Sequence, residues 1–110
     1  MTATEKIEKF VGNVMSEYMD ALEKHLLWPD GLTDMTLYEI EENLSLLRKW
    51  NDNGEDTVET IIFEELSEAF EALVKGNLVQ ARTELAQTGA MIMRLYINAE
   101  RYLGKGGSDR

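Results

Sequence analysis

The chain has 110 residues, of which 44% are apolar, enough for one domain with one modest core. It carries 21 acidic and 11 basic residues, a formal net charge of -10, so its surface repels DNA, RNA and anionic membranes and suits cations. It has no cysteine and a single histidine, His25, which excludes disulfides, thiolate zinc sites, thiol catalysis and multi-histidine metal sites within one chain; an all-oxygen site for a hard cation is what this inventory leaves.

Four helices are predicted in chain order, and no segment alternates with the period of a strand. The first runs from about Thr4, its expected N-cap, to Leu27. Ile7, Phe10, Val11, Val14, Met15, Tyr18, Leu22 and Leu26 recur at spacings of three and four, the signature of an amphipathic helix. Pro29-Asp30-Gly31 ends it. The second is expected over Thr36 to Trp50, capped by Thr33 or Asp34. Its stripe is Leu37, Ile40, Leu44 and Leu47, and Asn51-Asp52-Asn53-Gly54 reads as the turn that follows. The third runs from about Thr57 to Lys75 with Asp56 or Thr57 as cap, and Gly76 stops it. The fourth runs from about Leu78 to Leu103, and residues 104–110 form a flexible tail. No apolar run approaches the roughly 20 residues that span a bilayer. The first ten residues are too acidic and polar for a signal peptide, so the expected compartment is the cytoplasm.

The third helix contains the residue that fits least. Counted at 100° per residue, Ile61, Ile62, Leu66, Ala69, Ala72 and Leu73 share an apolar arc, and Glu65 falls inside it. A carboxylate there needs a cationic partner, a metal or a proton. Arg48, Lys49, Arg82 and Arg94 are the candidate partners. Glu68 lies on the border of the arc, one turn from Glu64 and Glu65. Glu64 is expected to face solvent, and Glu71 is expected on the surface. Sixteen residues after Glu68, Glu84 begins a pair with Gln87 on the fourth helix. From Leu85 to Met93 there is no charge, and the small residues Ala86, Gly89 and Ala90 would admit a close helix neighbour. That segment predicts an oligomer, a homodimer or homotetramer. Trp28 and Trp50 are expected in a core or an interface.

Glu64-Glu65-x-x-Glu68 followed by Glu84-x-x-Gln87 resembles the signature of the MazG-like all-α nucleoside triphosphate pyrophosphohydrolases, Glu-Glu-x-x-Glu on one helix and Glu-x-x-Asp on the next. The likeness covers Asp56 to Arg101, and the first 50 residues contribute no motif. The resemblance implies an all-α, four-helix antiparallel fold and a single MazG-like domain over residues 1–110. It implies hydrolysis of a nucleoside triphosphate to monophosphate and pyrophosphate with Mg2+ (or Mn2+) held by Glu65, Glu68, Glu84 and Gln87. Gln87 stands where the family has aspartate, so the site brings one negative charge fewer. Glu64 would orient or deprotonate the attacking water, and Arg82 and Arg94 would meet phosphate. Two other readings compete. One is a non-catalytic acidic binding or inhibitor protein that keeps the fold. The other is a helical bundle serving assembly alone, which explains the stripes but not Glu65.

Overall fold

A computed structural model describes residues 1–24 and 27–104, and these are all helical or irregular, with no strand. Four α-helices follow one another: α1 (Ala3–Lys24), α2 (Leu37–Asp52), α3 (Val58–Val74) and α4 (Leu78–Ile97), then a short 3-10 helix at Ala99–Tyr102. His25, Leu26 and the tail beyond Gly104 lie outside the described residues. The chain divides into two units, one of Met1–Asp30 with Met93–Arg110 and one of Gly31–Ile92. No described helix is long and apolar enough to cross a membrane.

The Gly31–Ile92 unit holds the buried core. α2 contributes Ile40, Leu44 and Leu47, at spacings of four and three. α3 contributes Ala69 and Ala72, and α4 contributes Ala81, Glu84 and Thr88. α2 and α3 pack against each other, and the residues α3 buries most deeply are the small Ala69 and Ala72. The uncharged stretch of α4 is only partly covered: Thr88 is buried, whereas Leu85 and Ile92 are 42% and 43% exposed. In the terminal unit α1 buries no residue. Its expected stripe does form one face, but only Phe10, against Tyr96 at a ring-centroid distance of 5.0 Å, is half-buried among the stripe residues described. Trp28 (84% exposed) and Trp50 (38%) are not buried among the described residues.

The helix ends explain where the sequence-based boundaries shift. Thr2, not Thr4, caps α1: its hydroxyl accepts from the Glu5 amide at 3.1 Å and its own amide donates to the Glu5 carboxylate at 2.9 Å. α2 is capped by Thr36, with Glu39 completing a reciprocal box. Thr33 instead accepts from the Met35 amide in the turn before. α2 also runs two residues past Trp50, because Asn51 spends its side chain on α3 rather than on its own backbone. Thr57 caps α3, with Thr60 as its reciprocal partner. α4 stops at Ile97, not Leu103, where Asn98 donates to the Arg94 carbonyl through both its backbone N–H at 3.1 Å and its side-chain Nδ2 at 2.9 Å.

The α3–α4 connection is as short as predicted. Asn77 N–H donates to the Ala72 carbonyl at 2.8 Å and Gly76 N–H to the Leu73 carbonyl at 3.0 Å. This closes α3 in the six-to-one turn that needs a left-handed residue, and Gly76 supplies it with φ of 79°. Asn77 then opens α4, its side-chain oxygen accepting from the Gln80 amide at 3.1 Å. One residue thus ends one helix and starts the next, and the chain turns back beside α3.

Candidate metal centre

Glu65 and Glu68, one turn apart on α3, meet Glu84 of α4. Each offers a carboxylate oxygen, and the three oxygens lie within 4.8 Å of one another. These three side chains form a cluster that could hold a metal ion. The donors are all oxygen, the set preferred by hard divalent cations.

Glu84 is the deepest of the three. It is 7% exposed because it shares the inward face of α4 with Ala81 and Thr88. Both its oxygens are occupied. Gln80, one turn earlier, donates to Oε1 at 2.9 Å. Gln87, one turn later, turns its amide toward two carboxylates, which assigns the nitrogen to that side, 2.9 Å from Oε2 and 3.1 Å from Glu65 Oε2. Gln87 therefore ties α4 to α3 by donating to two carboxylates at once. The Thr88 hydroxyl donates to the Glu84 carbonyl at 2.8 Å, so no polar group on this buried face goes unpaired.

The charges crowd one another. Burial raises the pKa of Glu65 above the usual 4.5, and the charges of Glu68, Glu84 and Glu64 push it further. Glu68 is also raised, again by burial first; hydrogen bonding to Arg48 opposes the shift and Glu84 adds to it. Protonation, or a cation, relieves this repulsion.

Arg48 of α2 is the cation that meets the cluster, on its Glu64–Glu68 edge. Its Nη2 donates to Glu68 Oε2 at 3.1 Å, and its Nε lies 3.9 Å from Glu64 Oε2. It pairs with those two residues and not with Glu65, for which it was a candidate. Glu64 is not the solvated charge expected of it. Its side chain is 23% exposed, and Oε1 accepts from Asn51 Nδ2 at 2.6 Å. Asn51 is itself oriented by Thr60, whose hydroxyl donates to Asn51 Oδ1 at 2.8 Å. Glu71 pairs with Lys75 at 3.5 Å, which also reaches Glu41 of α2 at 3.5 Å.

The structure thus brings Glu64, Glu65, Glu68, Glu84 and Gln87 into one hydrogen-bonded and electrostatic network. Of the two arginines assigned to phosphate, neither has an acidic partner among the described residues. Arg82 is exposed and has no acidic partner among the described residues. Arg94 is exposed and belongs to the terminal unit. Sequence reasoning named Arg48 only as a partner for Glu65, and missed Asn51 and Gln80 as members. Gln80 was within reach, since it stands four residues before Glu84, where helical side chains meet. Comparisons of the chain with protein-family models, with curated proteins and with solved structures find no match.

Proposed function

We propose that this chain is a Mg2+-dependent nucleoside triphosphate pyrophosphohydrolase of the MazG-like kind, acting as a homodimer or homotetramer. The observation that carries the reading is the convergence of Glu65, Glu68 and Glu84 within 4.8 Å, two from α3 and one from α4, in the order and spacing of the signature the sequence resembles. Three carboxylates at that separation, with Glu65 and Glu68 raised in pKa, form a set whose repulsion a divalent cation would relieve.

Glu65, Glu68 and Glu84 would hold Mg2+ or Mn2+. When bound, the cation supplies charge neutralisation for the triphosphate and a more acidic water. The rest falls to the chain. Gln87 would offer the cation its amide oxygen, a neutral ligand where an aspartate would contribute a charge. Glu64, held through one oxygen by Asn51, keeps Oε2 for the attacking water. It accepts that water's proton as the new P–O bond forms at the α-phosphorus and the bond to the β-phosphate's bridging oxygen breaks. Monophosphate and pyrophosphate leave.

The test is Glu68→Ala assayed over a panel of nucleoside triphosphates, with and without Mg2+. Expected is Mg2+-dependent release of pyrophosphate from the wild type and loss of at least a hundredfold in the variant, with helical circular dichroism retained. Unchanged turnover in Glu68→Ala refutes the site.

A second reading, a non-catalytic acidic binding protein, is favoured by Gln87 and Arg48 already satisfying the carboxylates. It predicts a melting temperature indifferent to Mg2+ and to nucleotides. A rise on adding either decides against it.

A further inference from the structure

Arg48 has two properties that Arg82 lacks. It touches the acidic cluster, and it is poised to leave it. Its Nη2 is bonded to Glu68 Oε2 at 3.1 Å while its Nε stands 3.9 Å from Glu64 Oε2, beyond hydrogen-bond length. Its side chain is 44% exposed, and its other guanidinium donors have no hydrogen-bond partner among the described residues. A guanidinium held by one good bond, with free donors facing water, can turn at little cost.

A divalent cation and Arg48 want the same thing. Both would neutralise Glu68, and two positive charges within a few ångströms of each other repel. Whichever arrives at Glu68 weakens the hold of the other. A guanidinium displaced from a carboxylate has a second natural partner, because its planar fork matches phosphate oxygens equally well.

We infer that Arg48 is a charge-exchange residue: it neutralises Glu64 and Glu68 while no cation is bound, and passes to the polyphosphate chain of the substrate when the cation takes its place. This rests on the pyrophosphohydrolase reading above. It assigns the phosphate contact to α2 instead of α4, and gives Arg48 opposite effects on the two ligands. It hinders Mg2+ arriving alone and favours the triphosphate.

The experiment measures Mg2+ binding by calorimetry with MgCl2 alone, and steady-state kinetics with a triphosphate the wild type accepts. The proteins are wild type, Arg48→Met and Arg48→Lys. Arg48→Met should bind Mg2+ alone about tenfold tighter, while KM for the triphosphate rises about tenfold or more. Arg48→Lys keeps the charge and loses the fork, so Mg2+ affinity should stay near wild type while KM still rises. A bridge that merely holds α2 to α3 would instead weaken Mg2+ binding and raise KM in parallel. That parallel change, or an unaltered KM in both variants, overturns the inference and leaves the pyrophosphohydrolase reading standing. If Arg48→Met does not fold, Arg48→Lys decides alone, an unchanged KM counting against the inference. A wild type without Mg2+ binding or pyrophosphate release overturns both.

Discussion

Glu65→Gln should make the metal-free protein more stable and the metal-loaded one less so. The variant keeps the shape of the side chain and an oxygen for the Gln87 amide, which lies 3.1 Å away, and removes one charge. The oxygens of Glu65, Glu68 and Glu84 lie within 4.8 Å of one another. At that separation a pair of like charges repels by about 3.5 kcal/mol at an effective dielectric of roughly 20, and by about 0.9 kcal/mol in bulk water. Two such neighbours act on Glu65. The cluster is half-buried and Arg48 offsets part of its charge, so the relief on neutralising Glu65 comes to about 1–2 kcal/mol. For a domain of this size that raises the melting temperature by about 4–8 °C. The assay is thermal melting followed by far-ultraviolet circular dichroism at mildly alkaline pH, once in a chelator and once in excess Mg2+. In the chelator the variant should melt above the wild type. In Mg2+ the order should reverse, since cation at about a hundred times its Kd stabilises the wild type by about 2.7 kcal/mol and the variant by much less. A variant that melts below the wild type in the chelator refutes the reasoning. Glu65 would then be an acceptor the fold needs rather than a charge it tolerates.

Two further outcomes follow from the same network. Gln87→Asp adds a fourth carboxylate and removes two donors, so Mg2+ should bind about tenfold tighter while the metal-free protein loses about 1–2 kcal/mol; calorimetry and melting in chelator check the pair, and equal changes of one sign would contradict it. Acidification supplies the second. Glu65 and Glu68 have folded pKa values above the usual 4.5, so the folded state takes up their protons first, and metal-free stability should rise as pH falls from neutral towards 4.5. Glu5 and Glu39 are lowered by their capping hydrogen bonds, so what they contribute is lost only below that. Urea midpoints against pH should therefore climb and then fall in chelator, and a midpoint that declines steadily from neutral pH excludes the repulsion.

The residues differ in how far they announce themselves. Glu65 is legible because a charge inside an apolar arc breaks a period that can be counted. The caps Thr36 and Thr57 are local chemistry, and Thr57 was among the residues expected; Thr36 was passed over for residues two and three places earlier, where a hydroxyl also begins a turn. The depth of Glu84 was not legible from its neighbours in sequence, since the uncharged run begins only after it. Its burial follows from Ala81 and Thr88 on the same face, a stripe too small in side-chain volume to register as apolar. Arg48 was named among four candidate partners for Glu65, but its actual partners, Glu64 and Glu68, were beyond reach. Periodicity reports which way a side chain points from its own axis, and says nothing about which carboxylate on a neighbouring helix stands opposite. The stripe of α1 makes the same point in reverse: its period forms one face as expected, yet a face is not a burial.

Both amides that orient Glu84 come from its own helix, one turn before it and one turn after. Much of its posture is therefore inherited from helical geometry, with Gln87 shared between it and Glu65 of α3. A short cassette from Gln80 to Gln87 would carry a pre-aimed carboxylate onto any stable helical scaffold. Whoever wishes to build such a centre from nothing need only design the opposing pair.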